Sequence, residues 1–184
     1  MNLLKLLLSL VLCATVLSCT SNIKSNPKTT RLSTLRTPNI SNDSIPEPIG
    51  YVNDFEHIFS NEQIFHLDSL ISDFEDSTTI QIAIVTLDST FTTKENFYDY
   101  TLALGRKWGV GQKGKNNGIV IGVSLSLRII RIQNGYGIEK IFTDLETKNV
   151  IDNDMIPYFR KAEIFEGILN GLQKIMATLK PRNK

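Results

Sequence analysis

The chain of 184 residues has little cysteine, few aromatic residues and no excess of charge of either sign. Two cysteines are too few for a four-cysteine zinc site or a disulfide scaffold. Lysine and arginine number 20 against 19 aspartate and glutamate, and the resulting net charge of +1 excludes a strongly basic nucleic-acid binder. With 41% apolar and 21% charged residues, the composition is that of a globular protein, and the length suits one domain with small appendages.

The common catalytic signatures are also missing from the sequence. It has no Gly-x-Ser-x-Gly, no phosphate-binding Gly-x-x-x-x-Gly-Lys-Ser/Thr and no His-Glu-x-x-His motif. His57 and His66 are nine positions apart, a spacing more typical of surface residues than of metal ligands. Any catalysis would therefore need a less common set of residues.

The start of the chain has the features of an export signal. Lys5 precedes an uncharged apolar run over 6–17, which is shorter than the ~20 residues that a membrane-spanning helix needs. Ser18 and Cys19 end this run as in the bacterial lipobox, in which the cysteine becomes the lipidated first residue. We therefore predict a lipoprotein signal peptide over 1–18 and a membrane anchor at Cys19; an ordinary signal peptide is the alternative.

Residues 19–45 are rich in Ser, Thr, Asn and Lys and have no periodic apolar pattern. Such a segment cannot bury enough apolar surface to offset the entropy lost on ordering. We predict a flexible tether that holds the following domain away from the membrane. Its positive charges could contact anionic head groups, or the segment could be a solvated spacer.

From residue 46 to 180 the pattern is that of a folded domain. Ser60 and Gln63 form a predicted capping box at the start of an amphipathic helix over 61–75. Apolar, β-branched runs predict strands over 79–87, 119–124 and 127–133, the last two as an antiparallel hairpin. Further helices are predicted over 94–108, over 138–142, from Thr143 or Asp144 to just before Pro157, and over 162–178. Helices on both sides of a small mixed β-sheet predict a three-layer α/β/α sandwich.

Polar residues at the ends of these elements are the candidates for a site: Asp54, Asn116, Asn117, Glu139, Asp144 and Arg160. Oxygen-bearing side chains gathered from loops suit a hard cation such as Ca²⁺ or Mg²⁺. The alternative is that they are structural, because Asp144 is a credible helix N-cap and Asn117-Gly118 a credible turn.

Seven runs of sequence carry a family resemblance, in this order: 51–54, 107–111, 117–121, 131–139, 143–144, 157–160 and 165–167. Together they resemble the TPM domain over about residues 48–179. The resemblance implies an α/β/α sandwich at a membrane or in the cell envelope. Plant thylakoid members are linked to acid phosphatase activity and photosystem repair, and some members bind calcium.

The resemblance implies that Asp54, Glu139 and Asp144 are metal ligands, for Ca²⁺ ahead of Mg²⁺. The rim of that site would be formed by Asn116, Asn117, Tyr136 and Arg160.

Two functions remain open at this stage. The first is a membrane-anchored module of the cell envelope, facing the periplasm or the exterior, that binds a divalent cation and a protein partner and aids the assembly or repair of a membrane complex. The second is a metal-dependent acid phosphatase in which the cation polarises a phosphoryl oxygen and Arg160 stabilises developing charge. The sequence offers no convincing nucleophile or general base for the second.

Overall fold

The computed structural model describes residues 40–41 and 44–180. The predicted signal peptide, Cys19 and nearly all of the predicted tether lie outside these residues. The elements run in the order β1 (Val52–Asp54), α1 (Asn61–Thr78), β2 (Gln81–Thr86), α2 (Phe97–Trp108), β3 (Gly118–Ser124), β4 (Ile129–Asn134), α3 (Asp144–Asn149), a π-helical segment (Val150–Met155), α4 (Ile156–Phe159) and α5 (Ile164–Leu179).

The four strands form one mixed sheet in the order β1-β2-β3-β4. The first three strands are parallel, with Asp54 opposite Thr86 and Thr86 opposite Val123 at their carboxyl ends. The predicted hairpin is confirmed, because β4 pairs antiparallel with β3 and Asn134 lies opposite Ile119. The carboxyl end of β4 therefore lies beside the amino end of β3.

Helices cover both faces of the sheet and form two apolar cores. On one face, α1 and α5 bury Leu67, Ile71 and Leu172 against alternate strand residues. On the other face, α2 buries Phe97 and Leu104 against the strand residues between them. The predicted three-layer α/β/α sandwich with a small mixed sheet is confirmed.

The two parallel crossovers have opposite hands. The connection through α1 joins β1 to β2 and the connection through α2 joins β2 to β3, so both advance in the same direction across the sheet. Because α1 and α2 cover opposite faces, the two connections cannot both follow the usual right-handed rule. Among the helices of the described residues, α2 is the one that covers its face, and it lies next to the edge strand β4.

The helix boundaries match the sequence pattern in most places. Ser60 and Gln63 form the predicted capping box of α1, and Thr143 with Glu146 forms a second one at the start of α3. The short helix predicted over 138–142 is wrong: these residues form consecutive turns, in which the N–H groups of Ile138 and Phe142 bond to carbonyls three and four residues back without a continued ladder.

The helix predicted to end before Pro157 continues past it. After α3 the hydrogen bonding changes to the π-helical pattern over Val150–Met155 and returns to α-helical over Ile156–Phe159. Pro157 falls in the first turn of α4, where its missing N–H group is tolerated. The continuous helical stretch packs against α5.

The packed domain begins before Pro46. Ile45, predicted as the last tether residue, is 2% exposed and lies in the core beneath α2. Its carbonyl accepts a hydrogen bond from Lys107 Nζ at 2.7 Å, and the carbonyl of Pro46 accepts one from Trp108 Nε1 at 2.7 Å. Among the helices of the described residues, none is long and apolar enough to cross a membrane.

Candidate functional site

A glycine-rich loop joins α2 to β3 at the amino end of the sheet. Gly111 has a φ of +105°, and a Cβ on Gly118 would lie 2.1 Å from the carbonyl oxygen of Val110, so neither position accepts a side chain without strain. Asn117, 7% exposed, accepts from the Gln112 N–H at 2.8 Å and donates to the Thr79 carbonyl at 2.6 Å. Asn117 therefore holds the loop in place rather than facing a ligand.

The turn that follows β4 packs against this loop. The Gly135 N–H donates to the Gly118 carbonyl at 2.8 Å and the Gly137 N–H donates to the Asn116 carbonyl at 2.9 Å. Ile138, 1% exposed, anchors the turn in the core. The neighbouring Tyr136 is 72% exposed, so the turn presents its polar and aromatic side chains to solvent.

A cavity of about 740 Å³ lies where the loop, the turn, β4 and α2 meet. Four of the residues predicted from sequence line it: Asn116, Tyr136, Glu139 and Asp144. Its volume is in the range of small-molecule and cofactor sites. The structure therefore brings together candidates from the loop before β3 and from the segment that follows β4.

The carboxylates of Glu139 and Asp144 are exposed at this cavity. Within the part of the chain that the structure describes, neither takes part in a hydrogen bond or an ion pair. Two unpaired carboxylates fit a hard cation that completes its shell with amide oxygens and water. No group of three His, Cys, Asp or Glu side chains suited to a metal occurs among residues 40–41 and 44–180.

Asp54 lies at the opposite end of the sheet from this cavity. It is level with Thr86 and Val123, whereas the cavity adjoins Gly118, and the two ends of β3 are roughly 20 Å apart at ~3.3 Å per residue. Asp54 accepts hydrogen bonds from Thr86 Oγ1 at 2.6 Å and from the Phe59 N–H at 2.8 Å. The predicted three-carboxylate site is therefore not formed, because Asp54 is a structural acceptor that cannot share a cation with Glu139 and Asp144.

Arg160 is also separate from the cavity at the amino end of the sheet. It lines a second cavity of about 670 Å³ with Arg128, between the β3–β4 turn and the corner from α4 to α5. Its predicted place at the rim of the cation site is not supported by this position.

Sequence reasoning missed the contribution of α2 to the first cavity. Tyr98, Thr101 and Arg106 line it from one helical face, at spacings of three to five residues. Two glycines, Gly105 in α2 and Gly122 in β3, could have indicated that α2 approaches the sheet closely. A Cβ on Gly105 would lie 2.9 Å from Val120 Cγ2, and one on Gly122 would lie 2.6 Å from Thr101 Cγ2, so α2 lies very close to the sheet here.

Two groups outside the first cavity have a shifted pKa because of structural contacts. Burial raises the pKa of the Tyr100 hydroxyl, which donates to the Ser44 carbonyl at 2.9 Å. Hydrogen bonds from the backbone and side chain of Thr143 lower the pKa of Glu146 at the start of α3. These shifts accompany structural contacts, and neither residue lines the cavity.

The fold and site of the described residues define a class of protein: an α/β/α domain with a polar cavity at the amino end of a mixed four-stranded sheet. A sequence model described as the TPM domain matches residues 52–178. The chain belongs to the TPM domain family. No curated protein sequence gives a significant match to it.

Solved structures agree with this assignment. The N-terminal domain of a protein from P. gingivalis is 32% identical, with a TM-score of 0.64 over 70% of this chain and 81% of that one. The BA42 protein of the psychrophilic bacterium Bizionia argentinensis is 19% identical, with a TM-score of 0.58 over 68% and 83%. The N-terminal domain of the cg2496 protein from Corynebacterium glutamicum is 18% identical, with a TM-score of 0.55 over 76% and 86%. The last two show similarity of fold.

Proposed function

We propose that this chain is a binding module of the cell envelope that takes Ca²⁺ at Glu139 and Asp144 and docks a partner protein over the adjoining cavity. The observation that carries the proposal is that the carboxylates of Glu139 and Asp144, which have no hydrogen bond or ion pair among the described residues, both line one cavity. When bound, Ca²⁺ would supply a positive charge and a coordination site for an oxygen of the partner. Mg²⁺ is the second choice, because it requires stricter octahedral geometry.

Aromatic residues beside the carboxylates favour a protein partner. Tyr136 is 72% exposed and Tyr98 is 51% exposed, and both line the cavity. Tyrosine is enriched at the positions that contribute most to protein interfaces. A partner that buried both rings would remove apolar surface from water and could complete the shell of the cation.

Calorimetric titration of the full chain with CaCl₂ and MgCl₂ tests the cation site. With only two carboxylates we expect Ca²⁺ to bind with a Kd on the order of 10⁻⁴ M, in the range of extracellular calcium modules. The variant Glu139→Gln with Asp144→Asn should abolish the heat of binding. Glu166→Gln removes an exposed carboxylate from the first turn of α5, outside the cavity, and should leave binding unchanged. Equal affinity in all three proteins would contradict the site.

Recovery of proteins from envelope membranes tests the partner. The wild-type chain and Tyr136→Ala would be compared in Ca²⁺ and in a chelator, with Glu166→Gln again as the matched control. We expect one protein that is retained by wild type in Ca²⁺ and lost with Tyr136→Ala. Recovery of the same proteins with and without Ca²⁺, and by both wild type and Tyr136→Ala, would contradict docking at the cavity.

The membrane anchor is proposed from the sequence at Cys19. Fractionation of cells that produce the wild-type chain or Cys19→Ser tests it. The wild type should be found with membranes and should incorporate labelled fatty acid, whereas Cys19→Ser should not be labelled. Labelling of Cys19→Ser would contradict lipidation at this residue.

The alternative function is a phosphatase, and the same variants test it. Metal-dependent hydrolysis of p-nitrophenyl phosphate that disappears in Glu139→Gln with Asp144→Asn would replace the binding module with an enzyme. Because Arg160 lines a different cavity, its substitution by Gln should not affect that hydrolysis.

A further inference from the structure

The second cavity, of about 670 Å³, combines an apolar lining with two free cationic side chains. It lies between the β3–β4 turn and the corner from α4 to α5. Its apolar residues are Leu125, Ile129, Ile130, Ile156, Phe159 and Ile164. Arg128 and Arg160 also line it, and none of the described residues that line it is acidic.

Both arginines are available to a ligand. Each is exposed, and neither guanidinium has a hydrogen bond or an ion pair to any residue of the described chain. The carboxylate of Glu56 is held on the backbone of the β3–β4 turn, where it accepts from the N–H groups of Leu125 at 2.9 Å and Ser126 at 3.1 Å. The lining residues themselves carry two positive charges and no negative one, beside apolar side chains.

The position of Arg128 adds to this picture. It occupies the left-handed region with a φ of +53°, in a turn where glycine or asparagine would be less strained. Arg128 therefore carries a large side chain at a backbone conformation that side chains disfavour. The turn is closed by the Arg128 N–H, which donates to the Leu125 carbonyl at 3.2 Å.

We propose that this cavity binds a single-chain amphiphile with a carboxylate head, such as a fatty acid. The tail would lie against Leu125, Ile130 and Phe159, which pack on the same face of the sheet, and the two guanidinium groups would hold the carboxylate, for which their planar geometry is suited. The volume falls in the range of small-molecule sites. This site is separate from the cation site at the other end of the sheet.

The lining favours an amphiphile over a peptide. A buried peptide segment needs hydrogen-bond partners for its amide groups. Apart from the arginines, the one polar side chain of the lining is Ser124, whose hydroxyl already bonds with Glu56 Oε1 at 3.4 Å and the Leu127 N–H at 3.2 Å. A fatty acid needs polar partners only at its head.

Titration of the full chain with dodecanoate below its micelle concentration tests the proposal, with amide chemical shifts as the readout. Dodecanoate should shift Leu125, Ile129 and Ile164. Dodecanol, which has the same tail and no charge, should bind about tenfold more weakly, and acetate should not bind. Equal affinity for dodecanoate and dodecanol, or no binding of dodecanoate, would overturn the proposal.

Charge-neutral variants test the arginines. Arg128→Gln with Arg160→Gln should weaken dodecanoate binding about tenfold and leave dodecanol binding unchanged. Arg131→Gln is the matched control, because Arg131 is an exposed arginine of β4 that does not line the cavity. The same loss with Arg131→Gln would indicate unspecific attraction and contradict the site.

Binding of a short peptide distinguishes a fatty acid from a peptide as the ligand. A hexapeptide that ends in leucine with a free carboxylate should bind more weakly than dodecanoate, and tighter binding of the peptide would overturn the amphiphile. Should the double variant fail to fold, the comparison of dodecanoate with dodecanol on the wild-type chain still decides the proposal.

Discussion

At the scale of single residues, the surroundings of a carboxylate decide its role in this protein. Asp54 and Asp144 both stand beside turns, and sequence reasoning treated them alike. Asp54 accepts hydrogen bonds from Thr86 and from backbone N–H groups, so its lone pairs are used by the fold. Asp144 is exposed beside a cavity and free to bind a ligand.

Asp68 provides a residue-scale prediction about pH. It accepts from the Val52 N–H at 2.9 Å, and desolvation raises its pKa above the ordinary 3.8. The folded state therefore holds the proton more tightly than the unfolded state, and stability falls as pH rises from 3.8 through the raised pKa. Asp68→Asn keeps an acceptor for Val52 and removes this loss.

We expect Asp68→Asn to unfold in urea at pH 7 with a free energy equal to that of wild type or higher by less than about 1 kcal/mol. The fall in wild-type stability above pH 3.8 should be smaller in the variant. Asp73→Asn on the same helix is the control. A variant with a steeper fall than wild type would contradict the assigned direction.

At the scale of elements, the first cavity depends on one close contact between the loop after α2 and the end of β4. Gly135 lies so near Asn116 that a Cβ would be 2.3 Å from the carbonyl oxygen of Asn116. This approach places the turn bearing Tyr136 and Glu139 against the loop. The first cavity therefore depends on the backbone contact between the loop after α2 and the turn after β4.

Gly135→Ala should separate these two elements. We expect a loss of about 1–3 kcal/mol in the free energy of unfolding and weaker Ca²⁺ binding, because backbone on both sides must move. Gly50→Ala is the matched control, since its Cβ would meet nothing closer than Asp68 Oδ2 at 3.6 Å. Urea unfolding and calorimetry measure the two effects. Unchanged stability in Gly135→Ala would show that the loop yields easily.

At the scale of the whole molecule, the domain extends beyond the region that its composition marks. Ile45 is buried under α2, and Tyr100 and Lys107 bind the carbonyls of Ser44 and Ile45. These contacts join the end of the polar leader to the helix that lines the first cavity. The packed domain therefore includes residues that a composition-based boundary leaves out.

Truncation tests this boundary. A chain that begins at Pro46 should be less stable than one that begins at Ile40 by about 1.5–3 kcal/mol, the value of burying one isoleucine side chain. The midpoints of urea unfolding measure the difference. Equal midpoints would contradict a structural role for Ser44 and Ile45.

The sequence pattern predicted the fold better than the site. Periodicity and capping residues identified α1, α2, α5 and the hairpin, because these signals are local. The π-helical segment and the passage through Pro157 were not predictable, since packing against α5 decides them: a Cβ on Gly171 would lie 2.4 Å from Met155 Cε. The site was half predicted, because Glu139 and Asp144 follow β4 closely whereas Asp54 and Arg160 lie elsewhere.

The sequence by itself determined the family, most of the helices and strands and the residue types that can hold a cation. These follow from local periodicity, turn chemistry and short motifs, which do not depend on distant contacts. Only the tertiary structure decided which polar residues lie together. Asp54 lies level with the carboxyl end of β3, whereas Glu139 and Asp144 line the cavity at its amino end, and the length of the strand separates the two ends. The same packing brought Arg128 and Arg160 to one cavity, although 32 positions of sequence separate them.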